Sequence, residues 1–267
     1  MNTTATTVEE RLGDPYDTAN PFGFHAIVAA REAGRPLDGE PLDLGDAQDT
    51  ERLMHAARAV YRRSPALARP PADGAVAAGA AVGALDSGLR IAIRHLRARR
   101  LYGAAAADIP QLRAVLAGVL ADLLLCDALT TLAVRDTENA PDSDFVPRVL
   151  QAAMDRLSLL MGSRFYIRQG EHAVFQLLLS ETQQALFVPG RPPRSPSAPV
   201  PLNAATALCD PELLAAAPGR TLFPAATRRR AAQPAGPVQE RLYEELVRRY
   251  EASRAFDLTE RPLPDRP

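Results

Sequence analysis

ADGAVAAGAAVGALDSGLRIAIRHLRARRLYG, Ala72 to Gly103, is the stretch whose reading decides the fold. It contains no proline, opens rich in Ala and Gly, and closes rich in Arg. That composition predicts a long helix. Gly79 and Gly83 stand one helical turn apart, with Ala75 and Ser87 in line on the same face. Glycine inside a helix costs roughly 1 kcal/mol relative to Ala. Close approach of a second helix backbone along that face is the physical reason to keep such residues.

Working outward, Asp108 and Pro110 read as the start of a second long helix, ending near Asp136. In it Leu112, Val115, Leu116, Val119, Leu123, Cys126 and Leu129 are expected to be buried. An acidic loop, residues 136–144, leads to a helix opened by Asp144 and Pro147 and closed by Gly162. A further helix follows from Glu171 to about Leu186. Upstream, Asn20-Pro21 predicts a helix start, with Gly34 as its C-terminal cap. Another helix is expected from about Ala47 to Arg63, stopped by Ser64-Pro65 and by the Pro70-Pro71 junction. Residues 1–20 read as loose, with at most a helical turn before Gly13. From Val188 the chain is proline-rich and reads as a tail over the bundle or free of it. A last amphipathic helix, from Pro237 to about Arg254, aligns Val238, Leu242, Leu246, Val247 and Tyr250 and needs a surface to cover them.

The expected fold class is therefore all-α: a helical bundle with extra N-terminal helices and a Pro-rich tail. The expected segments are 1–71 (N-terminal helices), 72–187 (bundle), 188–235 (linker) and 236–267 (C-terminal helix and tail). The 267 residues are 46 % apolar, with no Trp and few aromatics, which favours helices over sheets. A net charge of −1 steers the protein toward neither nucleic acid nor an anionic membrane. All 31 basic residues are Arg, so a single Arg says little about function. Cys126 and Cys209 have no C-x-x-C partner, and the N-terminus lacks the pattern of a secretory signal. The apolar helices carry Asp86, Arg90, Asp122 and Asp127, so no uncharged run reaches membrane-spanning length. A cytoplasmic protein is the expectation.

Few chemistries fit. The glycines lie in helices rather than in a phosphate loop after a strand. His25, His55, His95 and His172 stand on separate segments and read as structural or surface residues. No Glu-x-x-His pair offers a di-iron site. What remains is the basic run Arg94, Arg97, Arg99 and Arg100 before Leu101-Tyr102-Gly103. A guanidinium can grip a pyrophosphate in bidentate fashion, and an adjacent aromatic can lie against a flavin or adenine ring.

The order of these features, RRLYG, then DIPQLRAVLAGVLADLLLCDAL, then VLQAAMDRLSLLMGSRFYIRQGEHAVFQ, resembles the C-terminal four-helix domain of acyl-CoA dehydrogenases. In that family the first long helix ends in R-x-x-[FY]-G, and a later one in a glycine pair before an aromatic. GDPYDTANPFGFHAIVAA and DTERLMHAARAVYRRSPAL are similar to the leading helices of a bacterial branch. The resemblance covers roughly residues 11 to 187. It implies an FAD site shared across an interface: Arg99 on the FAD pyrophosphate, Tyr102 near the cofactor, and Gly162 and Ser163 near the adenosine end.

The departures carry as much meaning. The middle β-domain is missing, its place taken by the junction near Leu67 to Asp73. The catalytic glutamate's register falls near Val188 or Pro189, and Glu181, the nearest acid, reads as a surface residue. A glutamine expected three residues before Gly162 is Leu159. The implied function is a non-catalytic or partner-dependent subunit of a heteromeric flavin-dependent acyl-CoA or acyl-carrier-protein dehydrogenase. FAD would sit only at the interface, with the partner handling the acyl substrate. The partner would be a full-length subunit of that type, or self-association; nucleic acid and membrane are not expected partners. The alternative is a structural or docking protein that keeps the bundle as a protein-binding surface and handles no flavin.

Overall fold

Asp73 opens the central helix. Its carboxylate accepts hydrogen bonds from the backbone N–H groups of Ala75 and Val76, and α4 then runs from Gly74 to Ala98. The computed structural model describes residues 3–35, 42, 44, 49–69, 71–101, 103–135, 145–186, 208–218 and 236–265. Within them, in chain order, lie α1 (Thr3–Leu12), α2 (Phe24–Glu32), α3 (Thr50–Tyr61), α4, α5 (Pro110–Arg135), α6 (Phe145–Met161), α7 (Gly170–Leu186), α8 (Pro211–Ala215) and α9 (Gly236–Glu251). The strands described are one antiparallel pair, β1 (Arg100–Leu101) and β2 (Ala104–Ala105). The all-α expectation holds, and no β-barrel domain occurs among the described residues. The loop 36–41, Pro70, Tyr102, the acidic loop 136–144 and most of 188–235 lie outside them.

α4 is surrounded by α3, α5, α6 and α7. The small-residue stripe does what its spacing predicts. A Cβ at Gly83 would run into the carbonyl oxygen of Arg58, and one at Gly79 into the sulfur of Met54. Two hydrogen bonds exploit the closeness: Arg58 Nε donates to the Gly79 carbonyl at 3.0 Å, and Ser87 Oγ donates to the Arg62 carbonyl at 2.6 Å. α5 is buried on all sides from Leu116 to Thr131, whereas Leu112 and Val115 are only half-buried. α4 and α5 are both long and apolar enough to cross a membrane by length and composition. In the bundle 94 % and 89 % of those windows are buried by other parts of the chain.

Several boundaries move. α1 is a full helix ending at Leu12, because Ala5 and Leu12 bury and α1 packs on α3. Asn20 does not cap α2. Its amide donates to the carbonyls of Leu12 and Asp14, both at 2.7 Å, and so ties the end of α1 to the turn before Phe24. α3 starts at Thr50, capped by Asp49, whose side chain accepts from the Arg52 backbone N–H. Within the Pro-rich span, residues 211–215 form one helical turn, with Pro211 placed where no N–H is needed and Asp210 as cap. Leu214, Ala216 and Ala217 are buried there. The stripe of α9 is covered by the chain's own α5: Leu242, Leu246 and Tyr250 are buried, Val238 and Val247 partly so.

The largest departure from expectation is a buried ion-pair cluster. Arg58, Arg62, Arg63 and Arg90 meet Glu9, Asp86 and Asp127, and the C-terminal segment adds Asp257, Arg261 and Asp265. All ten side chains are buried, five cations against five carboxylates. Arg58 pairs with Asp127 at 2.7 Å and Asp257 at 3.3 Å; Arg62 with Glu9 at 3.0 Å, Asp86 at 3.3 Å and Asp265. Arg261 Nη2 reaches Glu9 at 2.9 Å. Burial works against the charge of Arg62, yet Asp265, Glu9 and Asp86 outweigh it and hold the guanidinium well above its ordinary pKa. Asp257 and Asp265 are likewise held below the usual carboxylate range: burial opposes their charge, but Arg261 and Arg58 around the first, and Arg62 and Arg63 around the second, prevail.

Removing one member of such a cluster strands the others in a low-dielectric interior. Arg62→Met is therefore expected to cost about 3–5 kcal/mol in urea unfolding, while Glu10→Ala, an exposed neighbour of the cluster, changes stability by less than about 0.5 kcal/mol. Gly83→Ala forces α3 and α4 apart at a backbone carbonyl and is expected to cost about 1–3 kcal/mol by the same measurement.

Candidate functional site

The residues singled out from sequence meet at one end of the bundle. α4 stops at Ala98, and Arg99 leaves it in an extended conformation. The Arg99 N–H still donates to the His95 carbonyl at 3.0 Å, while its own carbonyl accepts from Ala106 at 2.7 Å. The chain then reverses through β1 and β2 with Gly103 at φ +86°. α6 ends at Met161, and Gly162, whose φ of +58° suits glycine, opens the 3-10 segment Gly162–Tyr166. That turn carries Gly162 to the tip of Arg99: a Cβ there would lie 3.8 Å from Nη1. Arg99 and Gly162 are thus brought together. Ser163 follows in the same turn, exposed. Tyr102 lies outside the described residues.

α7 braces the turn from below. The Gln176 side-chain amide donates to the carbonyls of Phe165 and Ile167. Phe165 packs edge-on against Phe175, ring centroids 6.1 Å apart. The other apolar groups here face outward: Leu159 and Tyr166 are each 79 % exposed and Ile167 38 %.

The basic run divides in two. Arg94 lies over the Tyr16 ring at 3.8 Å, and Arg97 pairs with Glu251 at 2.7 Å and sits over Tyr250. These serve the fold, holding α1–α2 and α9 to α4. Among the described residues neither Arg99 nor Arg164 has a carboxylate within ion-pair distance. Nothing in the sequence separates the two classes, since all are Arg in one helical run.

Below Arg99 and Arg164 lie two histidines the sequence reading treated as unrelated. The rings of His95 and His172 stack edge to face, centroids 5.3 Å apart at 86°. His95 is 5 % exposed, and the Nε2 atoms of both rings are buried without a hydrogen-bond partner among the described residues. Burial, then the charges of His172, Arg99 and Arg164, push His95 down to about 4. Burial and Arg164 lower His172 as well.

Glu181 is not on the surface as its spacing suggested. It is half-buried, and the Ser64 hydroxyl donates to it; burial raises its pKa first, against the hydrogen bond from Ser64. It lies nine residues along α7 from His172, about 13 Å by helical rise. The site end therefore offers the cations Arg99 and Arg164, the imidazoles of His95 and His172, the exposed ring of Tyr166 and, next to His172 in the chain, Glu171, whose pKa burial raises. Among the described residues no cluster of three metal-ligating side chains occurs.

No family model matches the chain, and no curated protein or solved structure matches it.

The protonation pattern predicts an acid limb. His55, pushed to about 4 mainly by burial and then Arg58, and His95 stay neutral in the fold yet titrate near 6.5 when unfolded. The unfolded chain then binds more protons between about pH 6.5 and 4, so stability falls as pH falls through that window. Glu171 and Glu181, raised chiefly by burial, act in the opposite sense, but the histidine displacements are the larger. Urea unfolding at pH 5 against pH 7.5 is expected to show a loss of roughly 1–3 kcal/mol after allowance for solvent screening.

Proposed function

We propose that this chain is a non-catalytic subunit of a heteromeric flavin-dependent acyl-CoA or acyl-carrier-protein dehydrogenase, lending its Arg99 end to a site built mainly by the partner. The observation that carries the reading is the adjacency of Arg99 and Gly162. These are the positions that the family resemblance assigns to one cofactor, and they stand far apart in the sequence. Their setting supports it further. Arg99 is held by backbone bonds at a helix end, has no carboxylate to neutralise it among the described residues, and stands beside outward-facing Leu159, Tyr166 and Ile167.

Arg99 and Arg164 fit the diphosphate portion of FAD, supplying charge and forked donors, and Gly162 and Ser163 leave space and an exposed hydroxyl toward the adenosine end. They do not cover a flavin ring. When bound, the flavin supplies the hydride acceptor for oxidising an acyl thioester, and the partner holds the ring and the base. This chain positions, charges and closes the interface. The acid nearest in sequence to the register of the family's catalytic glutamate, Glu181, accepts a hydrogen bond from the Ser64 hydroxyl.

The docking alternative rests on the same exposed apolar residues without the flavin. Co-expression with a full-length acyl-CoA dehydrogenase-type partner separates the two. Arg99→Ala is expected to lower FAD affinity in the purified complex about tenfold or more, the scale of a lost charge-assisted hydrogen bond, with the complex intact. Unchanged flavin absorbance would favour docking. Acyl-thioester oxidation by this chain alone, abolished by Glu181→Gln, would contradict both.

A further inference from the structure

Among the described residues the buried arginines lie within ion-pair distance of carboxylates, although at Arg63 burial still outweighs Asp265 and Glu9. The five arginines of the central cluster face five carboxylates, Arg249 faces Glu245 and Glu260, and Arg156 faces Asp122. The end of α4 differs: Arg99 is half-buried and Arg164 exposed, and neither has a carboxylate within ion-pair distance among the described residues. The charges acting on His95 are those of Arg99 on its own helix, Arg164 on the 3-10 turn and His172 on α7; on His172 the acting charge is that of Arg164. No carboxylate among the described residues acts on either ring. The two Nε2 atoms are closed off from solvent and unbonded, and the guanidinium groups that act on the rings have no carboxylate within ion-pair distance, among the described residues. A buried imidazole nitrogen left without a partner is costly, and a cationic surround makes its protonation costly too. One kind of ligand relieves both costs: an anion with several acceptor oxygens.

We propose that His95 and His172 form the floor of an oxyanion site rimmed by Arg99 and Arg164, and that a phosphate-bearing ligand bound there draws a proton onto the histidine pair. The inference rests on reading this end as anion-binding, but it needs no partner subunit and no flavin. The balance is simple: the ligand's negative charge offsets the repulsion from Arg99 and Arg164, one imidazole takes a proton from solvent, and its new N–H donates to a ligand oxygen. No covalent bond forms. The histidines then set the pH range in which the ligand is held, and the arginines set the baseline affinity.

The test is calorimetry of the chain alone with inorganic pyrophosphate, in two buffers of different ionisation heat, from pH 6 to 8. Expected are binding, net proton uptake, and an affinity that falls with rising pH by up to about tenfold per unit for one proton taken up. ADP is titrated beside it. Tighter binding of ADP would identify a nucleotide as the source, equal binding a free polyphosphate, and either supports the site. His95→Asn with His172→Asn should leave weaker binding that no longer depends on pH, and Arg164→Ala should weaken binding at every pH. Because the double variant also alters packing, side-chain NMR titration of the two histidines in the unaltered chain gives a second measure: pyrophosphate should raise their pKa. No binding, or binding without proton uptake and with unmoved histidine titrations, would overturn the proposal. Loss of FAD from a partner complex is a separate readout, so the two ideas can fail separately.

Discussion

Five arginines and five carboxylates held out of water are the constraint on which the rest of this structure depends. Each ion gives up several kcal/mol of hydration, which is recovered only when its partners are near and well aimed. Arg58 and Arg62 on α3 and Asp86 and Arg90 on α4 cannot move along their helices without losing partners. Glu9 fixes α1, and Asp257, Arg261 and Asp265 fix the last turn of the chain. Backbone groups join in: the N–H of Phe256 donates to Asp86 at 2.6 Å and that of Leu258 to Asp127 at 2.7 Å. Replacing such a cluster by apolar residues can leave stability unchanged or raise it. What the cluster contributes here is a single arrangement of both chain ends around the α3–α4 pair, whose close contact is set by glycine.

The helices around that pair were legible in the sequence because their signals are local. Pro110 and Gly162 mark ends by capping chemistry, and the line Ala75, Gly79, Gly83, Ser87 announces a close neighbour by spacing alone. The N-terminal helix and the C-terminal tail were not legible, for one reason. Their burial depends on partners about 50 to 250 positions away, as with Arg62 to Glu9 and Arg261 to Glu9. A segment such as SRAFDLTERPLPD looks like a solvated tail to any local test, since charge predicts exposure unless a counter-charge is already in place.

The candidate site divides the same way. The ends of α4 and α6 could be found from their glycines and arginines, and the fold sets Arg99 beside Gly162. Which arginines are free could not be read, since Arg94, Arg97 and Arg99 differ only in what the fold brings to them: Tyr16, Glu251, or no carboxylate among the described residues. The His95–His172 stack joins residues on two helices far apart in sequence and leaves no periodic trace. The ion pairs of the centre contrast with the end of α4, where Arg99 and Arg164 have no carboxylate within ion-pair distance among the described residues.

Native-state hydrogen exchange tests the account's central claim most directly. If the ion cluster ties the tail into one cooperative unit with α3 and α4, the amides of Phe256 and Leu258 exchange only with global unfolding, at the same free energy as the α4 core and with the same urea dependence. Exchange of those two amides orders of magnitude faster than the α4 core, at a rate insensitive to urea, would contradict it.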